Sequence, residues 1–215
     1  MKTIALLFLS TTLALAGCKK PADNPDRGSA APTTEAPKPQ PEPAAADKVD
    51  HVEVLARHLP AAGKEDLDAD PVVVRFAKFA VTKASFDPNL LEGGTATIEL
   101  DPTSIKTGSE ERDTDLKSPE YIDVARFATV TIDVANVKKQ ADKYTADATV
   151  GCHGMTKTYP VTFEVLATTA DSVRIKGEHA FSRLDFGIGI DPATDPTERI
   201  AAPLTIRWVL TLKKS

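Results

Sequence analysis

Cys152-His153 is the pair whose residue types first invite chemistry, because a thiol beside an imidazole is the arrangement of a cysteine nucleophile. It follows a run in which Tyr144, Ala146, Ala148 and Val150 alternate with Thr145, Asp147 and Thr149. On an extended strand adjacent side chains point to opposite faces, so these two groups cannot meet without a local turn. The pattern predicts a structural cysteine, with a periplasmic hydrolase built on Cys152-His153 as the third-ranked reading. His51, His58, His153 and His179 are scattered, with no two at a spacing typical of metal ligands, which predicts no metal. Arg112-Asp113 and Arg183-Leu184-Asp185 read as loop locks made by charge-assisted hydrogen bonds. The chain carries no P-loop, GxGxxG or GxSxG motif. The expectation is a protein that is not an enzyme and uses no cofactor.

A second cysteine implies different chemistry. Lys2 gives a positive start, Ile4 to Leu15 form an apolar run, and Leu15-Ala16-Gly17-Cys18 closes it. That run is too short to span a bilayer and has the length of a signal-peptide core. Small residues before a cysteine suit a lipoprotein signal peptidase, which cleaves an extended peptide ahead of a lipidated thiol. Residues 1–17 are therefore read as a lipoprotein signal peptide and Cys18 as the lipidation site. Several acyl chains on one cysteine hold a protein firmly to a membrane. Lys19 after the cysteine, where Asp would retain a lipoprotein at the inner membrane, predicts a bacterial cell-envelope protein on the outer membrane facing the periplasm.

With Cys18 carrying lipid, Cys152 has no partner for a disulfide, and the fold must hold without one. Residues 18–48 carry seven prolines among Ala, Thr, Glu and Asp and lack apolar periodicity, so they read as a disordered tether. Residues 49–215 are long enough for one domain with a sizeable core. The net charge of -5 and the absence of any basic cluster, with Lys138-Lys139 and Lys213-Lys214 only doublets at strand ends, speak against nucleic acid as a partner.

The elements that must position these residues are strands. Period-two alternation recurs at Thr95–Leu100, at Val130, Ile132 and Val134, at Tyr159, Val161, Phe163 and Val165, at Val173 and Ile175, and from Leu204 through Ile206 and Trp208 to Leu212. One apolar and one polar face means antiparallel strands wetted on one side. Val72, Val74 and Phe76 share a parity that Phe79 and Val81 leave, which calls for a bulge near Ala77-Lys78. Val52–Leu55 gives a weaker strand signal. Thr103 to Phe127 breaks the pattern; Thr107 with Glu110 fits a capping box, and Ser118-Pro119 fits an N-cap followed by proline. One or two short helical turns over an end of the β structure are expected there. Seven or eight strands can close as a barrel or stack as a sandwich, and periodicity does not choose.

Three separated motifs do choose. Ser104-Ile-Lys-Thr-Gly108 with Glu111-Arg-Asp113, Leu116-Lys-Ser118 and Tyr121–Val124 come first. Tyr144–Lys157 and Phe181-Ser-Arg-Leu-Asp-Phe-Gly-Ile188 follow, and from about residue 71 to 214 the chain resembles the YceI-like family. The resemblance implies an all-β, antiparallel, lipocalin-like barrel of about eight strands, usually exported and with no established catalysis. It implies an interior tunnel for long-chain amphiphiles: polyisoprenoids, including quinone tails and prenyl phosphates, or fatty-acid derivatives. Cys152 stands where that family often has an apolar residue, which fits a small buried hydrophobe.

The inward faces carrying Val130, Ile132, Val134, Tyr159, Val161, Phe163, Ile206 and Trp208 are then the expected ligand-binding residues, and Thr103–Phe127 the expected mouth or lid. The partners expected are an isoprenoid or lipid ligand and, through Cys18, a membrane. The alternative is a filled barrel that serves as a protein-interaction module without a ligand.

Overall fold

The structure, a computed structural model, describes residues 45–60 and 70–214. The expected signal peptide, Cys18 and nearly all of the expected tether lie outside the described residues. Ten strands form one antiparallel sheet: β1 (His51–Ala56), β2 (Val72–Phe76), β3 (Phe79–Asp87), β4 (Leu90–Leu100), β5 (Ile105–Lys106), β6 (Val130–Gln140), β7 (Lys143–Cys152), β8 (Met155–Thr168), β9 (Ser172–Ser182) and β10 (Pro203–Lys213). Among the described residues the one α-helix is α1 (Glu110–Lys117).

Connectivity alone requires this sheet to curl. Its order is β3-β4-β6-β7-β8-β9-β10-β1-β2-β5. Laid flat at about 4.8 Å per strand, β3 and β2 would lie roughly 38 Å apart. Yet only Ala77 and Lys78 separate them in sequence, a link that reaches about 10 Å. The two ends of the sheet must come together, so the sheet is a barrel. β2 and β3 are one bent stave, and two-residue β5 is an accessory, which reconciles ten strands with the eight or so expected.

The expected break falls at Ala77-Lys78. There Ser104 takes over the pairing: its carbonyl accepts from the Ala77 N–H at 3.3 Å and its hydroxyl from the Lys78 N–H at 2.9 Å. A second register shift lies between Val81 and Lys83. β1 is a full strand, paired to β10 and β2, although its sequence signal is weak. Its outward Glu53 shows why. The carboxylate is 2 % exposed and lies between its two cross-strand neighbours, bonded by Arg75 on β2 and by Arg207 Nε at 2.8 Å on β10. Burial would raise the Glu53 pKa; the two guanidiniums more than reverse it and hold the carboxyl below its ordinary value. One buried carboxylate thus fixes the register of three strands.

The helical insertion exists, but its caps are not those expected. Ser109 is the N-cap of α1 and accepts from the Arg112 N–H, whereas Thr107 bonds the Asp113 carboxylate through N–H and hydroxyl at 2.7 and 2.8 Å. Ser118 ends the helix instead of starting one, its N–H bonded to the Asp115 carbonyl. Pro119 disfavours a helical Ser118 and stops the helix. A 3-10 turn over Ala45–Lys48 lies inside the stretch read as tether. Asp47 there is bonded by Lys176 Nζ at 3.1 Å.

Candidate functional site

The barrel encloses a cavity of about 780 Å³, within the range of small-molecule sites. All eight expected residues line it. Val130, Ile132 and Val134 come from β6, Tyr159, Val161 and Phe163 from β8, and Ile206 and Trp208 from β10. Inward parity brings them together: on β8 Val161 and Phe163 are buried while Thr162 and Glu164 are exposed. The wall also makes room for its largest side chain. Gly177 on β9 pairs with Trp208, and a methyl at Gly177 would sit 2.3 Å from the indole.

The cavity is graded along its axis. Its far end, beside the β3–β4, β6–β7 and β8–β9 turns, is packed with Phe86, Leu91, Val137, Phe163 and Val173, all buried. Tyr144 stacks on Phe163 with ring centroids 5.5 Å apart. The other end is a polar mouth. The expected segment contributes Ser109, Arg112, Leu116 and Tyr121, so Thr103–Phe127 does border the opening. Two further contributors were not singled out in sequence: Arg57-His58 beyond β1, and residues 188–200 between β9 and β10. Pro192 and Pro196, each after an Asp or Ala-Thr-Asp turn run, were the available signal. Four arginines, Arg57, Arg112, Arg183 and Arg199, line the cavity. Four carboxylates, Glu111, Asp115, Asp195 and Glu198, line it too, so the mouth carries no net cationic field.

Arg183 organises that mouth. It is 2 % exposed. Its guanidinium donates to the carbonyls of Ile188 and Ile190 at 2.7 Å, Ile200 at 2.8 Å and Ala201 at 3.2 Å, with Glu198 at 3.6 Å. It does lock a loop, but through backbone oxygens; Asp185, its expected partner, instead accepts from the Tyr159 hydroxyl at 2.9 Å. Likewise Asp113 serves Thr107 and Lys106, not Arg112. The Thr107 hydrogen bond leads the effects that hold Asp113 below the ordinary carboxylate value.

Among the described residues no hydrogen bond joins Cys152 to His153. His153 lies at a two-residue turn with Gly154, φ 51° and 75°, where extended strand was expected. Its Nδ1 is 2.9 Å from the Phe186 carbonyl oxygen and its ring meets Phe127 edge-on. Cys152 faces the cavity, and burial pushes its thiol up to about 11. At neutral pH it is a thiol, not a nucleophilic thiolate. Among the described residues no group of three or more His, Cys, Asp or Glu could hold a metal.

Below the mouth lies a polar patch missed in the sequence. His179 lines the wall beside Tyr159, ring centroids 5.2 Å apart, with Phe181 and Phe186 around Tyr159. Burial lowers the His179 pKa, so the ring is neutral at neutral pH. Burial, then the bond to Asp185, raises that of Tyr159. A single histidine in a β run gives no local signal of such a patch.

Known proteins share this architecture. BcnA of Burkholderia cenocepacia superposes with a TM-score of 0.64 at 19 % identity, over 76 % of this chain and 96 % of that one. A polyisoprenoid binding domain from Saccharophagus degradans superposes with a TM-score of 0.57 at 13 % identity, over 77 % and 94 %. At such identities the likeness is one of fold. In sequence, a UPF0312 protein of Yersinia enterocolitica is 32 % identical over 80 residues, and Protein YceI of Salmonella arizonae is 31 % identical over 80. These matches cover 37 % of this chain and 41 % of each relative, so the chain spans about two fifths of the length of those relatives. The YceI-like domain model matches residues 50–212, and the chain belongs to the YceI-like family.

Proposed function

We propose that this protein binds a long-chain amphiphile, a polyisoprenoid or fatty-acid derivative, within the barrel. One observation carries the reading: a cavity of about 780 Å³ lined by apolar side chains from facing strands and opening at a polar mouth. Binding by burial is energetically sufficient. Each isoprene unit moved from water into such a wall gains roughly 4 kcal/mol gross. A few units exceed the cost of association. The cavity supports this reading over the alternative of a filled barrel that serves as a protein-interaction module. No catalytic role is assigned to Cys152 or His153.

The test uses neighbouring residues of opposite parity. Val161 is 8 % exposed and faces inward, while Thr162 is exposed outside. Val161→Glu puts a carboxylate into an apolar wall and should abolish binding of a fluorescent prenyl or fatty-acyl probe. Thr162→Glu should leave binding unchanged. With both variants shown folded by circular dichroism, equal binding by Val161→Glu and the parent would overturn the reading.

The membrane tether belongs to the same proposal. A lipid on Cys18 would hold the domain at the outer membrane, facing the periplasm. The support is Leu15-Ala16-Gly17-Cys18 after an apolar run, followed by Lys19. Cys18→Ala should leave an uncut precursor without palmitate label. A labelled and processed variant would remove the tether from the account.

A further inference from the structure

The two ends of the barrel present different charge to their surroundings. At the mouth, residues 101–129 hold seven acids against four basic residues, and residues 183–202 hold four acids against two. Glu110, Glu111, Asp115 and Glu120 are exposed there. At the far end Lys138 and Lys139 precede the β6–β7 turn, and Lys213 and Lys214 close the chain after β10. All four are exposed and have no ion pair among the described residues. Four acids share that end, and three are turned back onto it. Asp87 accepts from the Asn89 N–H at 2.9 Å, Glu92 from the Lys139 N–H at 3.2 Å, and Asp171 from the Thr169 hydroxyl at 2.8 Å. Asp142 is the fourth, and Lys143 beside it pairs with Glu164 at 2.8 Å. Short carboxylates held at the turns lie closer to the barrel than ammonium groups on four-carbon stems, so the outermost charge at the far end is positive.

Apolar exposure does not distinguish the ends. Val49 and Leu90 are 69 % and 57 % exposed at the far end, Ile190 and Met155 55 % and 46 % exposed near the mouth. Charge does distinguish them. An anionic lipid surface attracts lysines and repels an acidic rim. The entry of the chain agrees with the charge. The Asp47 carbonyl accepts from Arg174 Nε at 2.9 Å and its carboxylate from Lys176 Nζ at 3.1 Å, while Asp50 accepts from the Thr211 N–H at 2.9 Å. Arg174 and Lys176 are the third and fifth residues of β9 counted from the far end. A chain lipidated at Cys18, 27 residues before Ala45, therefore joins the barrel close to its far end. A mouth-down domain has to draw that chain past roughly 20 Å more of wall, from Lys176 to Ser182.

We propose that the far end of the barrel is a docking surface for a lipid bilayer with anionic headgroups. Val49 and Leu90 meet the bilayer, Lys138, Lys139, Lys213 and Lys214 surround them, and the mouth is directed away. This rests on the tether reading above and goes beyond it, since a tether alone leaves the orientation of the domain open. The amphiphile is then exchanged on the side turned away from the anchoring bilayer.

The test uses the full-length protein isolated from cells and reconstituted on vesicles of phosphatidylethanolamine with about a quarter phosphatidylglycerol. A trace of lipid with a nitroxide on its headgroup serves as quencher. A bimane label on Asn89→Cys reports the far end and one on Glu120→Cys the mouth, each combined with Cys152→Ala. Quenching should be at least threefold stronger at position 89 than at position 120. The two should approach parity on phosphatidylcholine vesicles and in about 0.5 M salt, where surface charges are screened. They should also approach parity when Lys138, Lys139, Lys213 and Lys214 are all changed to Glu, in a variant whose thermal unfolding matches the parent's. Equal quenching at both positions, or stronger quenching at 120, in protein that floats with the anionic vesicles would overturn the docking surface and leave the tether standing. A threefold preference that survives both salt and the four substitutions would overturn recognition of anionic headgroups. Protein that does not float with the vesicles would overturn the tether and the docking surface together.

Discussion

At the far end of the barrel Phe86, Leu91, Val137, Phe163 and Val173 are buried against one another, and Tyr144 stacks on Phe163. At the mouth, the Arg183 guanidinium donates to four carbonyls of residues 188–201, and the backbone of Arg199 and Ala201 bonds that of Leu59 and Arg57. The far end is held by many small, non-directional contacts that share the load. The mouth is held by a few directional bonds, four of them to a single charged group. A ligand must pass one of these ends, and the difference teaches which. An end closed by packed aromatics opens only by unpacking the core. An end tied by a few directional bonds opens by releasing a loop, and local opening free energies of that kind belong to binding sites.

Breaking the mouth should give the largest effect. Arg183→Met removes every donor and leaves four carbonyls without their partner, for a loss of roughly 4 kcal/mol. In hydrogen exchange, amides of 187–202 should lose protection far more than those of β7 and β8. A uniform loss across the barrel would erase the contrast between the ends. Phe163→Ala attacks the other end and should cost roughly 3 kcal/mol. Here the loss should appear in urea unfolding as one cooperative transition, with the mouth loop no more exposed to exchange than the rest. Selective loosening of 187–202 by this far-end change would contradict the division.

Cys152→Ala should be the mildest, at about 1 kcal/mol, as for a small buried apolar group. Its thiol, raised to about 11 by burial, should react slowly with iodoacetamide at pH 7 and faster as the pH climbs toward that value. Rapid alkylation of the folded protein at neutral pH would mean an accessible thiolate, and the hydrolase reading would return.

The barrel wall was legible in the sequence, and of the mouth only its Thr103–Phe127 border was. Strands expose their inward face through period two, and Val130, Ile132, Val134, Tyr159, Val161, Phe163, Ile206 and Trp208 all reach the cavity on that signal alone. The break at Ala77-Lys78 was legible for the same reason, as a change of parity. Barrel closure was not, because period two is equally satisfied by a sandwich; the family motifs supplied it. The rest of the mouth escaped because its bonds join residues apart in sequence. Arg183 and Asp185 look like partners in the chain, yet one holds carbonyls of 188–201 and the other holds Tyr159. Glu53 looks like a strand's wet residue and is sealed by Arg75 and Arg207 from two neighbouring strands. His179 gave no signal at all, since its meaning lies in what the barrel places beside it.

The central claim is that the cavity holds a long-chain amphiphile, and native mass spectrometry of the full-length protein isolated from cells tests it most directly. The account predicts a second species heavier than the polypeptide by the mass of a non-covalent hydrophobe, lost on organic extraction and regained when the extract is added back. That species should be absent from folded Val161→Glu. A single species at the polypeptide mass in the parent, unchanged by added prenyl alcohol, quinone or fatty acid, would contradict the claim.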